Sequence, residues 1–330
     1  MASPTSAPTA GSAREAGPAP ALAFHFAQIH RAAPSLTDAL REQALRSRWW
    51  LAADAVLVGY GLLQGGPAWV AAGLVAAAAP FALTATSHAQ SDRYQRLLRH
   101  HATGNWEGVR VCAQELQRYA ARRPELAFDI ELRLAGIQAR DEGLAAALAR
   151  LESWRARWVR RPGYFDGRIA AVHLMAGDIA GHVAAMQRAC DADPQQPVRQ
   201  VDLALAHARF GDIDRAAALL DALDLRQLPA PGPGYVAWAY GLVALRRDAA
   251  PEARARLAAA VDGLSALADQ PAGWPTLAAC VCDHAVAMFQ CGYEAAARAL
   301  VAEVWPVLEM HATVPLLRML EADGLVPPKP

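Results

Sequence analysis

The sequence predicts an all-α chain: a transmembrane helical hairpin followed by an α-solenoid of about six helix pairs. Three observations carry this. Of the 330 residues 78 are alanine, the strongest helix former, and hydrophobic residues make up 54% against 19% charged. The 43 residues between Arg48 and Asp92 hold one formal charge, Asp54. The triplet Gly177-Asp178-Ile179 returns 34 residues later as Gly211-Asp212-Ile213.

Residues 1–20 are Ala, Pro, Ser, Thr and Gly with a single Arg14-Glu15 pair, a composition with little to bury and hence expected as a disordered tail. The segment lacks the apolar run of a secretory signal, so no cleavage is expected. Residues 21–48 read as amphipathic and juxtamembrane helices. Leu22, Phe26, Ile29 and Ala33 share one helical face before Pro34. Ser35 with Asp38 three residues on is a variant capping box that opens the next helix.

Residues 49–89 form the hairpin. Trp49–Gln64 and Ala68–Ala89 are apolar runs separated by Gly65-Gly66-Pro67. They span roughly 24 and 33 Å at 1.5 Å per residue, against a hydrocarbon core of about 30 Å. Leu36 to Arg48 extends the shorter run. Trp49 and Trp50 at one boundary and Trp69 near the other match aromatic belts. Arg41, Arg46 and Arg48 precede the hairpin, Arg93, Arg96 and Arg99 follow it, and the turn is uncharged. The positive-inside rule then places both termini and the solenoid in the cytoplasm. Asp54 lies about one turn inside the Trp pair, within reach of interfacial water. Its alternative role is a proton or ion path in a subunit of a membrane enzyme or transport complex. Gly59-Tyr60-Gly61 begins like a dinucleotide fingerprint, but Gln64 stands at the third glycine and the run is apolar, so helix packing explains it.

Residues 90–325 carry the repeat. After Gly177, Met186, Ala189 and Pro194 follow at offsets 9, 12 and 17; after Gly211, Ala216, Leu220 and Leu223 follow at 5, 9 and 12. Leu203-Ala204 supplies the large-then-small pair upstream. Weaker copies surround Gly104-Asn105, Asp141-Glu142-Gly143, Asp248 and Cys291-Gly292. This pattern resembles the tetratricopeptide repeat, a 34-residue pair of antiparallel helices, and the preceding apolar hairpin resembles membrane-anchored bacterial members of that family. The turns are expected near residues 104, 141, 177, 211, 248 and 291, with Gly at positive φ and Asp capping the next helix. A short helix from Val314 to Leu325 caps the stack, and residues 326–330 form a Pro-rich end.

Several chemistries are excluded. Lys329 is the only lysine, so no Walker-type phosphate loop or Schiff-base lysine exists. Asn105 is the only asparagine and is followed by Trp106-Glu107, so there is no N-glycosylation acceptor. The 32 basic and 32 acidic residues balance, which argues against a nucleic-acid partner. Cys112, Cys190, Cys280, Cys282 and Cys291 form an odd set without a C-x-x-C pair, as suits reduced thiols. Cys280-Val-Cys282-Asp-His284 superficially suggests a metal site, yet helical positions i and i+2 project about 200° apart. His100-His101 reads as a solvated helix end. No cofactor, metal or catalytic constellation is expected. Arg155, Arg157, Arg160 and Arg161, interleaved with Trp154 and Trp158, read either as a solvated face over repeat-packing tryptophans or as a dock for anionic lipid or RNA.

The resemblance implies a concave groove lined by the first helix of each pair. Registering on the turn glycines directs Tyr164, Arg209, Tyr235, Trp238 and Arg246 toward it, with Leu242 on the face of Trp238. The family's carboxylate clamp needs lysines and asparagines that this chain lacks. The expected function is a membrane-anchored scaffold that holds a protein or peptide partner in the groove.

Overall fold

A computed structural model describes residues 35–64 and 66–328. The expected tail at 1–20, the amphipathic face of Leu22, Phe26, Ile29 and Ala33, and the last two residues of the Pro-rich end lie outside the described residues. Within them the chain is all-α: 15 α-helices and four short 3-10 segments, with no strand among the described residues.

Helix α1 (Leu36–Arg46) opens on the expected capping box. The Ser35 hydroxyl accepts from the Asp38 amide at 3.1 Å, and the Ser35 amide donates to Asp38 Oδ2 at 3.2 Å. After Ser47 comes α2 (Arg48–Leu63), and Gln43 Nε2 bridges the junction by donating to Ser47 Oγ at 2.8 Å. The third helix, α3 (Pro67–Ala102), runs for 36 residues, on the order of 54 Å, and packs along both α2 and α1. Gly73 permits the close approach of α3 to α2, since a Cβ there would collide with Val58.

The side chains of this helical pair point their apolar groups outward. Trp50 is 77% exposed, Leu63 86%, Trp69 64% and Val75 68%. Helix α3 is long and apolar enough to cross a membrane, and among the described residues almost none of its apolar stretch is covered by protein. A core helix of similar composition would be mostly covered by protein. At residues 89–90, where the sequence suggests a boundary, the helix continues without a break. The reason is local: the stretch from Gln90 to Leu98 contains no Gly or Pro, so only the solvation preference changes and the backbone does not.

The remaining helices are α4 (Trp106–Ala120), α5 (Pro124–Asp141), α6 (Leu144–Arg155), α7 (Tyr164–Met175), α8 (Ile179–Ala192), α9 (Pro197–Phe210) and α10 (Ile213–Asp221). They continue with α11 (Gly232–Arg246), α12 (Ala250–Leu264), α13 (Trp274–Gln290), α14 (Glu294–His311) and α15 (Val314–Ala322). Helices pack in sequential pairs, α3 with α4 through α13 with α14, and each pair packs on the next. The turns occupy 103–105, 142–143, 176–178, 211–212, 247–249 and 291–293, at the six expected places. The repeat positions do the packing: Ala189, Ala204 and Ala216 are fully buried, with Leu203 and Leu220 beside them.

Turn chemistry explains five of the six links. Gly104, Gly143, Gly177 and Gly292 adopt positive φ, and Asp248 does so at 58°. Asn105, Asp178 and Asp212 then cap the following helices, accepting from amides at 2.9 to 3.1 Å. Gly211 departs from the expectation: its φ is −120°. What limits residue 211 is the His207 side chain, which a Cβ there would meet. Gly177, at φ 74° and with nothing within 4 Å of a Cβ, therefore isolates the backbone effect. Gly177→Ala should cost about 1–2 kcal/mol in urea denaturation. An unchanged midpoint would show that the turn does not depend on left-handed geometry.

The stack also closes on itself. Ala102, at the end of α3, belongs to the same buried cluster as Leu316 and Leu320 of α15. Helix α14 and the 3-10 turn Pro271–Gly273 also touch α3. The last pair thus returns to the first.

Candidate functional site: a central cavity

Closure of the stack leaves a cavity of about 520 Å³ on its inner side, lined from α3, α5, α7, α8, α9, α11, α13, α14 and α15. That volume lies in the range of small-molecule and side-chain pockets, roughly 300–1,000 Å³. Each wall is set by a helix end or by a cross-helix bond.

One end is shut by the segment around His311. A carbonyl can only accept, so His311 Nε2 carries the proton it donates to the His101 carbonyl at 2.9 Å and the Ala102 carbonyl at 3.1 Å. These are terminal carbonyls of α3, which have no intrahelical partner. The rings of His101, His311 and Trp106 gather with centroids 5.3 to 5.9 Å apart. Arg140, in the last turn of α5, lies over Trp106 at 4.9 Å and donates to the Met310 carbonyl at 3.3 Å. Gly104 lies directly against Met310, where any Cβ would collide. Burial lowers the His311 pKa below its ordinary 6.5, with the bonds to the two carbonyls opposing that shift.

A second wall is a three-helix contact. Trp238 Nε1 of α11 donates to Asp283 Oδ2 of α13 at 2.8 Å. Arg209 of α9 reaches within 3.7 Å of the same oxygen and places its guanidinium over the Trp238 and Phe210 rings. Burial pushes the Asp283 carboxyl up, while Arg209 and the Trp238 indole pull it down; burial dominates. A third wall holds Arg133, paired with Asp129 at 2.9 Å. Asp129 also accepts from the Tyr94 hydroxyl at 2.7 Å and pairs with Arg168.

The six residues directed toward the groove by the sequence are distributed differently. Arg209 and Trp238 line the cavity, although Trp238 is only 1% exposed. Leu242 is buried in the core. Tyr235 is half-buried and near-parallel to Trp238, with centroids 6.3 Å apart. Tyr164 packs on Trp158, with centroids 4.6 Å apart, in a cluster around Phe128. Arg246 is exposed and caps the end of α9, donating to the carbonyls of His207, Ala208 and Gly211 at 2.8 to 3.2 Å. Counting from a turn glycine gives the face of a helix but not how far each side chain is covered by its neighbour.

Asp202, Arg133, Arg140, Glu309 and His311 line the cavity and were not singled out by the sequence. Asp202 had a signal: a lone acid in the apolar run Val201-Asp202-Leu203-Ala204-Leu205. The others meet across up to 210 residues of chain, beyond any local period.

The remaining candidates have structural surroundings. Cys280 and Cys282 are buried on α13, where burial pushes their thiols up. Among the described residues no group of three or more His, Cys, Asp or Glu is placed to hold a metal ion. His100 Nδ1 lies 3.1 Å from Asn105 Nδ2 in the first turn. In the basic stretch Trp158 is buried, Arg157 lies over Trp154 at 4.6 Å, and Arg155 and Arg161 pair with Glu152 and Glu125, each at 2.6 Å. The tryptophans there are packing residues. No protein-family model, curated protein or solved structure matches this chain.

Proposed function

We propose that the chain is a membrane-anchored protein-interaction scaffold. In this reading α2 and the apolar part of α3 form a transmembrane hairpin. The helix pairs that follow form a tetratricopeptide-like α-solenoid at the cytoplasmic face of a bacterial inner membrane, and the central cavity takes a peptide segment of a partner protein. The role is binding, not catalysis, and it calls for no cofactor.

The observation that supports it best is the character of α3. One 36-residue helix exposes apolar side chains such as Trp69, Leu74 and Val75 in its first half. Its far end buries Leu97, Leu98 and Ala102 in the packed domain. A rigid element that is greasy at one end and part of a protein core at the other ties the cavity to the bilayer at fixed height. Arginines on both flanks of the hairpin and none in its turn support this orientation.

Reporter fusions test it. Fusions after Arg48 and after Asp92 should both read cytoplasmic, and a fusion at Gly66 should read periplasmic. A Gly66 fusion on the same side as the other two would overturn the transmembrane hairpin.

A further inference from the structure

The charged groups of the cavity fall into two kinds. Two of its arginines are ion-paired, Arg133 with Asp129 and Arg209 with Asp283, while Arg140 donates to the Met310 carbonyl and lies over the Trp106 ring. Two acids on the same lining, Asp202 and Glu309, make no hydrogen bond or ion pair among the described residues. Arg199, one turn earlier on α9, acts on Asp202 electrostatically but does not come within ion-pair distance. Burial raises the Asp202 carboxyl to about 6, so at neutral pH it carries a charge with no counterion in contact. Half-buried on the cavity wall, this carboxylate has no protein partner among the described residues and is open to a cationic occupant.

The surroundings say what shape that occupant has. Asp202 shares the cavity with Leu174, Met186, Leu205 and Phe210. A cation on an apolar stem satisfies both features at once, the stem lying against the hydrophobic wall and the head reaching the acid. Resting on the reading of the cavity as a peptide groove, we propose that it receives a lysine or arginine side chain of the partner segment, whose cation pairs with Asp202 while Glu309 adds to the negative field. The specificity-determining residue of the scaffold is then Asp202.

A phage-displayed random decapeptide library, panned against the full-length protein in phosphatidylethanolamine–phosphatidylglycerol nanodiscs, tests this. The enriched peptides should share a Lys or Arg at one fixed position with apolar neighbours. Synthetic copies should bind Asp202→Asn at least about tenfold more weakly, and copies with norleucine at the basic position should lose a similar factor on the wild type. The two losses should not add when variant and norleucine copy are combined, because both remove one interaction. The norleucine arm needs no variant, so it decides even if Asp202→Asn is unstable. Enriched peptides with no basic position, or equal affinity for the norleucine copy, would overturn the assignment while leaving the peptide groove standing. Failure to enrich any peptide would overturn both.

Discussion

Trp238→Ala is expected to remove about 3–5 kcal/mol of folding stability, the range for truncating a buried aromatic residue. Trp238 is among the largest fully buried side chains of the protein. Its loss has three consequences at once: a void between α11 and α13, an Asp283 carboxylate without its indole donor, and an Arg209 guanidinium without the ring beneath it. The measurement is urea denaturation of the detergent-solubilised full chain, followed by helical circular dichroism. Trp238→Phe should recover most of the packing but not the hydrogen bond, leaving a residual loss of about 1–3 kcal/mol from the unsatisfied buried acceptor. Near-native stability for Trp238→Ala would mean that the three-helix contact does not hold the cavity wall.

The closure of the stack carries the second large effect. His311→Ala should cost about 1–3 kcal/mol, because it leaves the Ala102 carbonyl without a donor and the His101 carbonyl with the Gly104 amide alone, and removes a ring from the His101–Trp106 cluster. The same residue has a pH signature. Its folded-state pKa is depressed below 6.5 by burial, so its contribution is complete above that value and is lost as pH falls toward the folded pKa. Asp202 works in the opposite sense: its raised carboxyl favours the folded state below 3.8 and loses that advantage as pH rises through about 6. Comparing wild type with His311→Gln across pH 7 to 4 cancels the groups that His311 does not touch. The glutamine keeps an N–H donor but does not titrate, so its stability should fall less on acidification. Parallel curves for the two proteins would rule out titration of His311 as a determinant of the closure.

What the sequence made legible was local. The capping box at Ser35, the six inter-helix turns and the final helix at Val314 are short-range chemistry, and a glycine, a capping acid or a proline announces each within a few residues. The apolar window was equally plain because a charge gap needs no partner to be read. The closure was not legible. Arg140 meets Met310 and His311 meets Ala102 across 170 and 209 residues, and their contact depends on the summed curvature of all the intervening pairs. Small errors in that curvature decide whether a stack ends open or shut. The place of Arg246 was not legible for a related reason: its helical phase can be read, but a long side chain at a helix end turns to nearby helix-end carbonyls, here those of α9. Asp202 could have been found, since a single acid within an apolar first helix conflicts with the pattern around it.

The anchoring of the domain by α2 and α3 is tested most directly by washing membranes from cells that produce the full chain with alkaline carbonate. The protein should stay in the membrane pellet and be released only by detergent, because Trp49, Trp50, Leu63, Trp69, Val75 and Leu83 are exposed among the described residues. Recovery of the intact, folded chain in the supernatant without detergent would contradict it.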